Sequence, residues 1–107
     1  MSRAKTPYTK NKVYLSMAAH FLRERTKTLD DCYNAPSQHK RAIYADCIRE
    51  AIKNNACFYG VISYNTYAFT FGYTSRENNE WVITIILPTK TKKCLYREVE
   101  QWLTEQD

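Results

Sequence analysis

The chain has 107 residues with 44% hydrophobic and 14% aromatic side chains, enough for one domain with a modest core that needs no disulfide or metal staple. Its formal charge is +5, from 16 Lys and Arg against 11 Asp and Glu, which favours an acidic partner such as nucleic acid or a nucleoprotein. Only two Gly and three Pro exclude a low-complexity chain, and no apolar run approaches the roughly 18 residues of a membrane span.

Residues 1–12 read as a basic, flexible arm carrying Arg3, Lys5, Lys10 and Lys12, with a single α+β domain over 13–107. "MSRAKTPYTKNK" has no secretory apolar segment, so the expected location is the cytoplasm. In that compartment Cys32, Cys47, Cys57 and Cys94 are expected as free, mostly buried thiols. Their successive separations of 15, 10 and 37 residues contain none of the short pairs that zinc sites use, so no metal and no cofactor are expected.

The first helix is predicted over about 11–27. Tyr14, Met17, Ala18, Phe21 and Leu22 recur at helical spacing, and Asn11 is placed to cap it. "TLDDCYNAPS" reads as a loop. Ser37 then caps a second helix whose apolar stripe is Ile43, Tyr44, Cys47, Ile48, Ala51 and Ile52, ended by Asn54-Asn55.

From Cys57 the period changes to two. "CFYGVISY", "YAFTFGYT" and "WVITIIL" are rich in β-branched and aromatic residues and predict three antiparallel strands, with "SRENNE" joining the last two. A chain reversal near Tyr64-Asn65-Thr66 is required, because an unbroken strand over 57–73 would run about 55 Å. Pro88 closes the third strand. "TKTKK" then leads into a last helix with Leu95, Val99, Trp102 and Leu103 on one face. The predicted order is ααβββα, with helices on one face of the sheet and the other face open, which suits a homodimer.

Within the second strand, "TYAFTF" resembles the core octapeptide of the RNA-recognition motif at Tyr67, Ala68 and Phe69. That resemblance implies outward aromatics that stack on bases. The chain departs from the motif at Asn65, Thr66, Thr70 and Gly72, and the helix and strand order also differs. Thr66, Ala68, Thr70 and Gly72 are too small to build a core, so the aromatics at 67, 69, 71 and 73 are expected to face inward.

Two basic segments fall at predicted helix starts: Lys90, Lys92, Lys93 and Arg97 before the last helix, and His39, Lys40 and Arg41 opening the second. Cations are unfavourable there unless an anion sits among them and the free backbone N–H groups. With Arg3 and Lys5 they form the expected contact set for phosphate or an acidic groove. The C-terminal segment is opposite in sign, with Glu98, Glu100, Glu105 and Asp107. No nucleophile, acid–base pair or phosphate-cradling glycine loop stands out, so an enzyme is not expected.

"SYNT" at Ser63–Thr66, the sheet after it and the Thr/Lys-rich approach to the last helix resemble small orphan proteins of phages and mobile elements. Inhibitors of CRISPR nucleases are often of this size and style. The resemblance implies a non-enzymatic module acting on a host nuclease or nucleoprotein complex. Direct, largely sequence-independent DNA or RNA binding is the alternative.

Overall fold

The computed structural model describes residues 8–24, 30–63 and 69–106. Three long helices, α1 (Lys12–Arg23), α3 (Gln38–Lys53) and α4 (Tyr96–Gln106), accompany a one-turn helix, α2 (Asp30–Tyr33). The sheet has four strands rather than the expected three: β1 (Phe58–Val61), β2 (Phe71–Glu77), β3 (Glu80–Ile86) and β4 (Thr91–Leu95). They form an antiparallel meander in the order β1-β2-β3-β4.

Local signals account for the helix starts. The Asn11 side chain accepts from Val13 N–H and the Ser37 hydroxyl from Lys40 N–H, each satisfying a backbone donor that the first turn leaves open. Residues 30–33, expected as loop, close a single helical turn. Cys32 from that turn is buried with Ala35 against α3.

The added strand is "TKKCL", expected as the approach to the last helix. Thr91–Leu95 pairs with Val82–Ile86 across β3, and Cys94 and Leu95 are buried. Its lysines alternate with the sheet instead of gathering at a helix end. "SRENNE" is also shorter as a connection than expected. Ser75, Arg76 and Glu77 stay in β2, and only Asn78 and Asn79 turn the chain, at φ of 52° and 67°. Positive φ at both positions is what a two-residue hairpin needs to match strand twist, and Asn tolerates it.

β1 and β2 pair from Phe58↔Thr74 to Val61↔Phe71, and Ile62 N–H donates to Thr70 O. The chain therefore reverses between 62 and 70, as the length argument requires. Tyr64–Thr66 and Tyr67 themselves lie outside the described residues.

Helices cover both faces of the sheet, which corrects the one-sided expectation. α1 and α4 pack Leu15, Met17, Ala18, Phe21 and Val99 on Ile62, Ile83, Ile85 and Cys94. On the other face Tyr44, Cys47 and Ala51 of α3 pack on Phe71 and Tyr73, with Phe69 partly buried beside them. Phe71 is fully buried and Tyr73 nearly so, so the aromatic row from 69 onward does face a core. Gly72, between Phe71 and Tyr73, faces the core under α1. Gly72 lies so close under α1 that a methyl group on it would sit 2.9 Å from Ile62 Cδ1 and 3.2 Å from the Phe21 ring. The open face on which a homodimer was expected is therefore occupied over β1 and β2 by α3.

Candidate nucleic-acid interface

The described members of the expected basic set divide into four groups. Lys90 and Lys92 converge on one ring: each ammonium lies 5.6 Å from the centroid of Tyr14, in the first turn of α1. Tyr14 is half-buried against the core, which holds its ring in place beneath the two cations. Lys10 and Lys12, exposed at the start of the same helix, line a small cleft with Trp102 and with Glu98 and Glu105 of α4. The acidic last helix thus lies beside part of the basic surface and offsets some of it.

Lys93 points the other way. Its ammonium donates to Glu77 Oε2 at 2.8 Å, and the Tyr8 hydroxyl donates to Oε1 of the same carboxylate at 3.1 Å. Thr9 N–H donates to Lys93 O and Tyr8 bridges Lys93 in parallel, so the chain before α1 is fastened along the β4 edge. The hydrogen bond that Lys93 donates to Glu77 raises the Lys93 pKa above the ordinary lysine value. Burial, with Glu77 beside it, raises that of Tyr8. Lys93 is a fastener between arm and sheet.

Arg97 forks onto Glu80, with Nε to Oε1 at 2.6 Å and Nη2 to Oε2 at 3.5 Å, and also approaches Glu98 at 3.5 Å. The Arg97 hydrogen bond holds the Glu80 carboxyl below its usual range. On the opposite face of the sheet, Arg41 donates to Ala35 O at 2.7 Å, closing the loop before α3. Lys40, half-buried, belongs to the first turn of that helix. Arg3 and Lys5 lie outside the described residues. Of the expected contacts the structure brings together Lys90 and Lys92. It joins to them Tyr14, which belonged only to the α1 core pattern in the sequence, while Lys10 and Lys12 open the same helix and line the cleft against α4.

A second feature had no signal in the sequence. Near the C-terminal end of α1 a cleft of about 480 Å³ is lined by Leu22, Cys57, Phe58, Thr74, Trp81 and Tyr96. These come from five elements or their flanks, so only the fold assembles them. Trp81 is 38% exposed, and the Arg76 guanidinium lies over its ring at 5.3 Å. Phe58 stacks on Phe21 with ring centroids 4.7 Å apart, so that wall is anchored in the core.

The four cysteines are free and mostly buried, as expected: Cys32, Cys47 and Cys94 are buried, and Cys57 is exposed. Burial pushes the Cys47 thiol up to about 11 and the Cys94 thiol up to about 12, leaving both inert as nucleophiles at neutral pH. Among the described residues no three His, Cys, Asp or Glu side chains gather where they could hold a metal ion. No described helix is long and apolar enough to cross a membrane. No protein-family model, curated protein or solved structure matches the chain.

Proposed function

We propose that the protein is a non-enzymatic binding module, and that it docks the lysines around Tyr14 against the phosphates of a nucleic acid, free or carried in a nucleoprotein complex. The observation that carries this reading is the convergence of Lys90 and Lys92 on a single ring, with Lys10 and Lys12 exposed at the start of the same helix. Lys90 and Lys92, two like charges over one ring in the first turn of α1, repel each other and meet the positive end of its dipole, and a bound polyanion relieves both. The Tyr14 quadrupole offsets part of that repulsion in the free protein. By covering the phosphates that a nuclease must hold, such a module would act as its inhibitor. Phage-type inhibition of a CRISPR or similar defence nuclease is the form that the resemblance implies.

The test is a salt titration of binding to single- and double-stranded DNA of unrelated sequences. Affinity is expected to fall steeply with salt and to vary little with sequence. The double charge reversal Lys90→Glu/Lys92→Glu is expected to flatten the log–log salt slope on duplex DNA by about 2, one for each phosphate that a lysine no longer neutralises. Arg97→Gln, which removes a cation already held by Glu80, is expected to leave the slope unchanged. Absence of binding to any nucleic acid at low salt, or an unchanged slope in the double variant, refutes the assignment.

A further inference from the structure

The cleft beyond the end of α1 differs chemically from the lysine surface. Three of its six lining residues are aromatic, none is a carboxylate, and a guanidinium lies over the most exposed ring. Its volume is that of a small-ligand site rather than of a groove for a helix or strand. Flat rings backed by a cation favour a flat, electron-rich ligand. An aliphatic peptide side chain gains only area from such walls, whereas a nucleobase also gains ring stacking, on the aromatic side chains and on the Arg76 plane. The positive charge of the whole chain attracts the phosphates that such a base carries.

We propose that this cleft is a stacking site for an unpaired nucleobase of a single strand, with Trp81 as the principal platform and Phe58 and Tyr96 as walls. The proposal rests on the reading of the lysine surface as a phosphate contact, and it adds a preference for single strands that phosphate contacts alone do not supply. Thr74 and Cys57 border the site with small polar groups, so one base is not chosen strongly over another by hydrogen bonds. The aromatic row at 67–73, the obvious stacking candidate in the sequence, is not the platform, because Phe71 and Tyr73 are buried.

The structure also supplies the probe. Cys57 is exposed and lines the cleft, while Cys32, Cys47 and Cys94 are buried, so iodoacetamide on the folded protein reports on Cys57. The experiment compares a short oligothymidylate with inorganic polyphosphate, which carries the charge without bases, at low salt. Oligothymidylate is expected to slow Cys57 alkylation several-fold and polyphosphate to leave it unchanged. Trp81→Leu is expected to weaken oligothymidylate binding roughly tenfold, the usual loss of one stacked base, without changing polyphosphate affinity. Trp81→Tyr, which keeps a ring, should retain most of the affinity.

If oligothymidylate binds with the expected salt slope but neither protects Cys57 nor depends on Trp81, the stacking site is wrong and the lysine reading stands. Equal protection by polyphosphate also overturns the stacking site, because the shielding then needs no base. If duplex DNA binds but oligothymidylate does not, the stacking site falls and the lysine reading stands; if neither binds at low salt, both readings fall. The protection measurement uses the unaltered protein, so it decides the matter even if a Trp81 variant folds poorly.

Discussion

Gly72→Ala is the most economical test of the two-sided core. Gly72 has no positive φ, so its backbone is one that alanine adopts readily and the question is one of space alone. The added methyl would lie 2.9 Å from Ile62 Cδ1 and 3.2 Å from Phe21 Cδ2 and Cε2, where comfortable carbon contacts are about 3.5–4.0 Å. Ile62 can withdraw a terminal methyl by rotation. Phe21 has less freedom, since it is 2% exposed and stacked on Phe58. Its ring must shift by a few tenths of an ångström within a close-packed layer.

Overpacking of this kind costs about 1–3 kcal/mol, and the lower chain entropy of unfolded alanine returns about 0.4–1 kcal/mol. The two ranges leave a net loss between about 0 and 2.6 kcal/mol; with Phe21 stacked in place about 1–2 kcal/mol is expected, which in a domain of this size lowers Tm by roughly 5–12 °C. Urea denaturation followed by Trp fluorescence and far-UV circular dichroism gives the value, with the m-value expected unchanged. A midpoint clearly above that of the unaltered protein would refute the close approach of α1 to β2. The core under α1 would then not be packed as described.

Two further outcomes follow from the caps and the buried thiols. Ser37→Ala removes the acceptor for Lys40 N–H at 3.0 Å and is expected to destabilise by about 1 kcal/mol; a thermal melt shifted by less than a degree or two would show that the cap is idle. Stability should also fall in alkali. Cys47 and Cys94 keep their protons in the folded state to about pH 11 and 12, whereas exposed thiols in the unfolded chain ionise near 9.0, so the unfolded state binds fewer protons between these limits. Their contribution is complete below about pH 9 and is lost as pH rises through the folded values. The raised pKa values of Tyr73, Tyr8 and Lys93 act in the same direction at higher pH. Urea midpoints that stay flat from about pH 8.5 to 10.5 would contradict the burial of the two thiols.

What could be read from the sequence was what short-range physics fixes. Asn11 and Ser37 cap their helices because each needs only a backbone N–H two or three residues ahead. The run at 81–87 yields a strand over Glu80–Ile86 because its β-branched side chains favour extended backbone, and Pro88 follows it as its missing N–H requires. The inward direction of Phe71 and Tyr73 followed from the lack of any other large side chains to fill that face. That the protein is basic likewise needed only composition.

The remaining features depend on partners far along the chain. Nothing within "TKTKK" distinguishes a helix approach from an edge strand. That choice is made by β3, which offers Val82–Ile86 to pair with it, and by the segment before α1, where Tyr8 and Thr9 fasten the other edge. The same pairing sends Lys92 toward Tyr14 and Lys93 toward Glu77, so two adjacent lysines acquire different roles. Arg97, an apparent phosphate contact in the sequence, is held by Glu80, which is distant in the chain and next to it in space. The cleft of Phe58, Trp81 and Tyr96 exists only because α1, α4 and three strands meet around it. Sequence alone determined a basic α+β chain with capped helices and an inward aromatic row. Tertiary structure decided which cations remain at the surface and which rings line a cleft, because strand pairing and two-sided packing set those positions over long range.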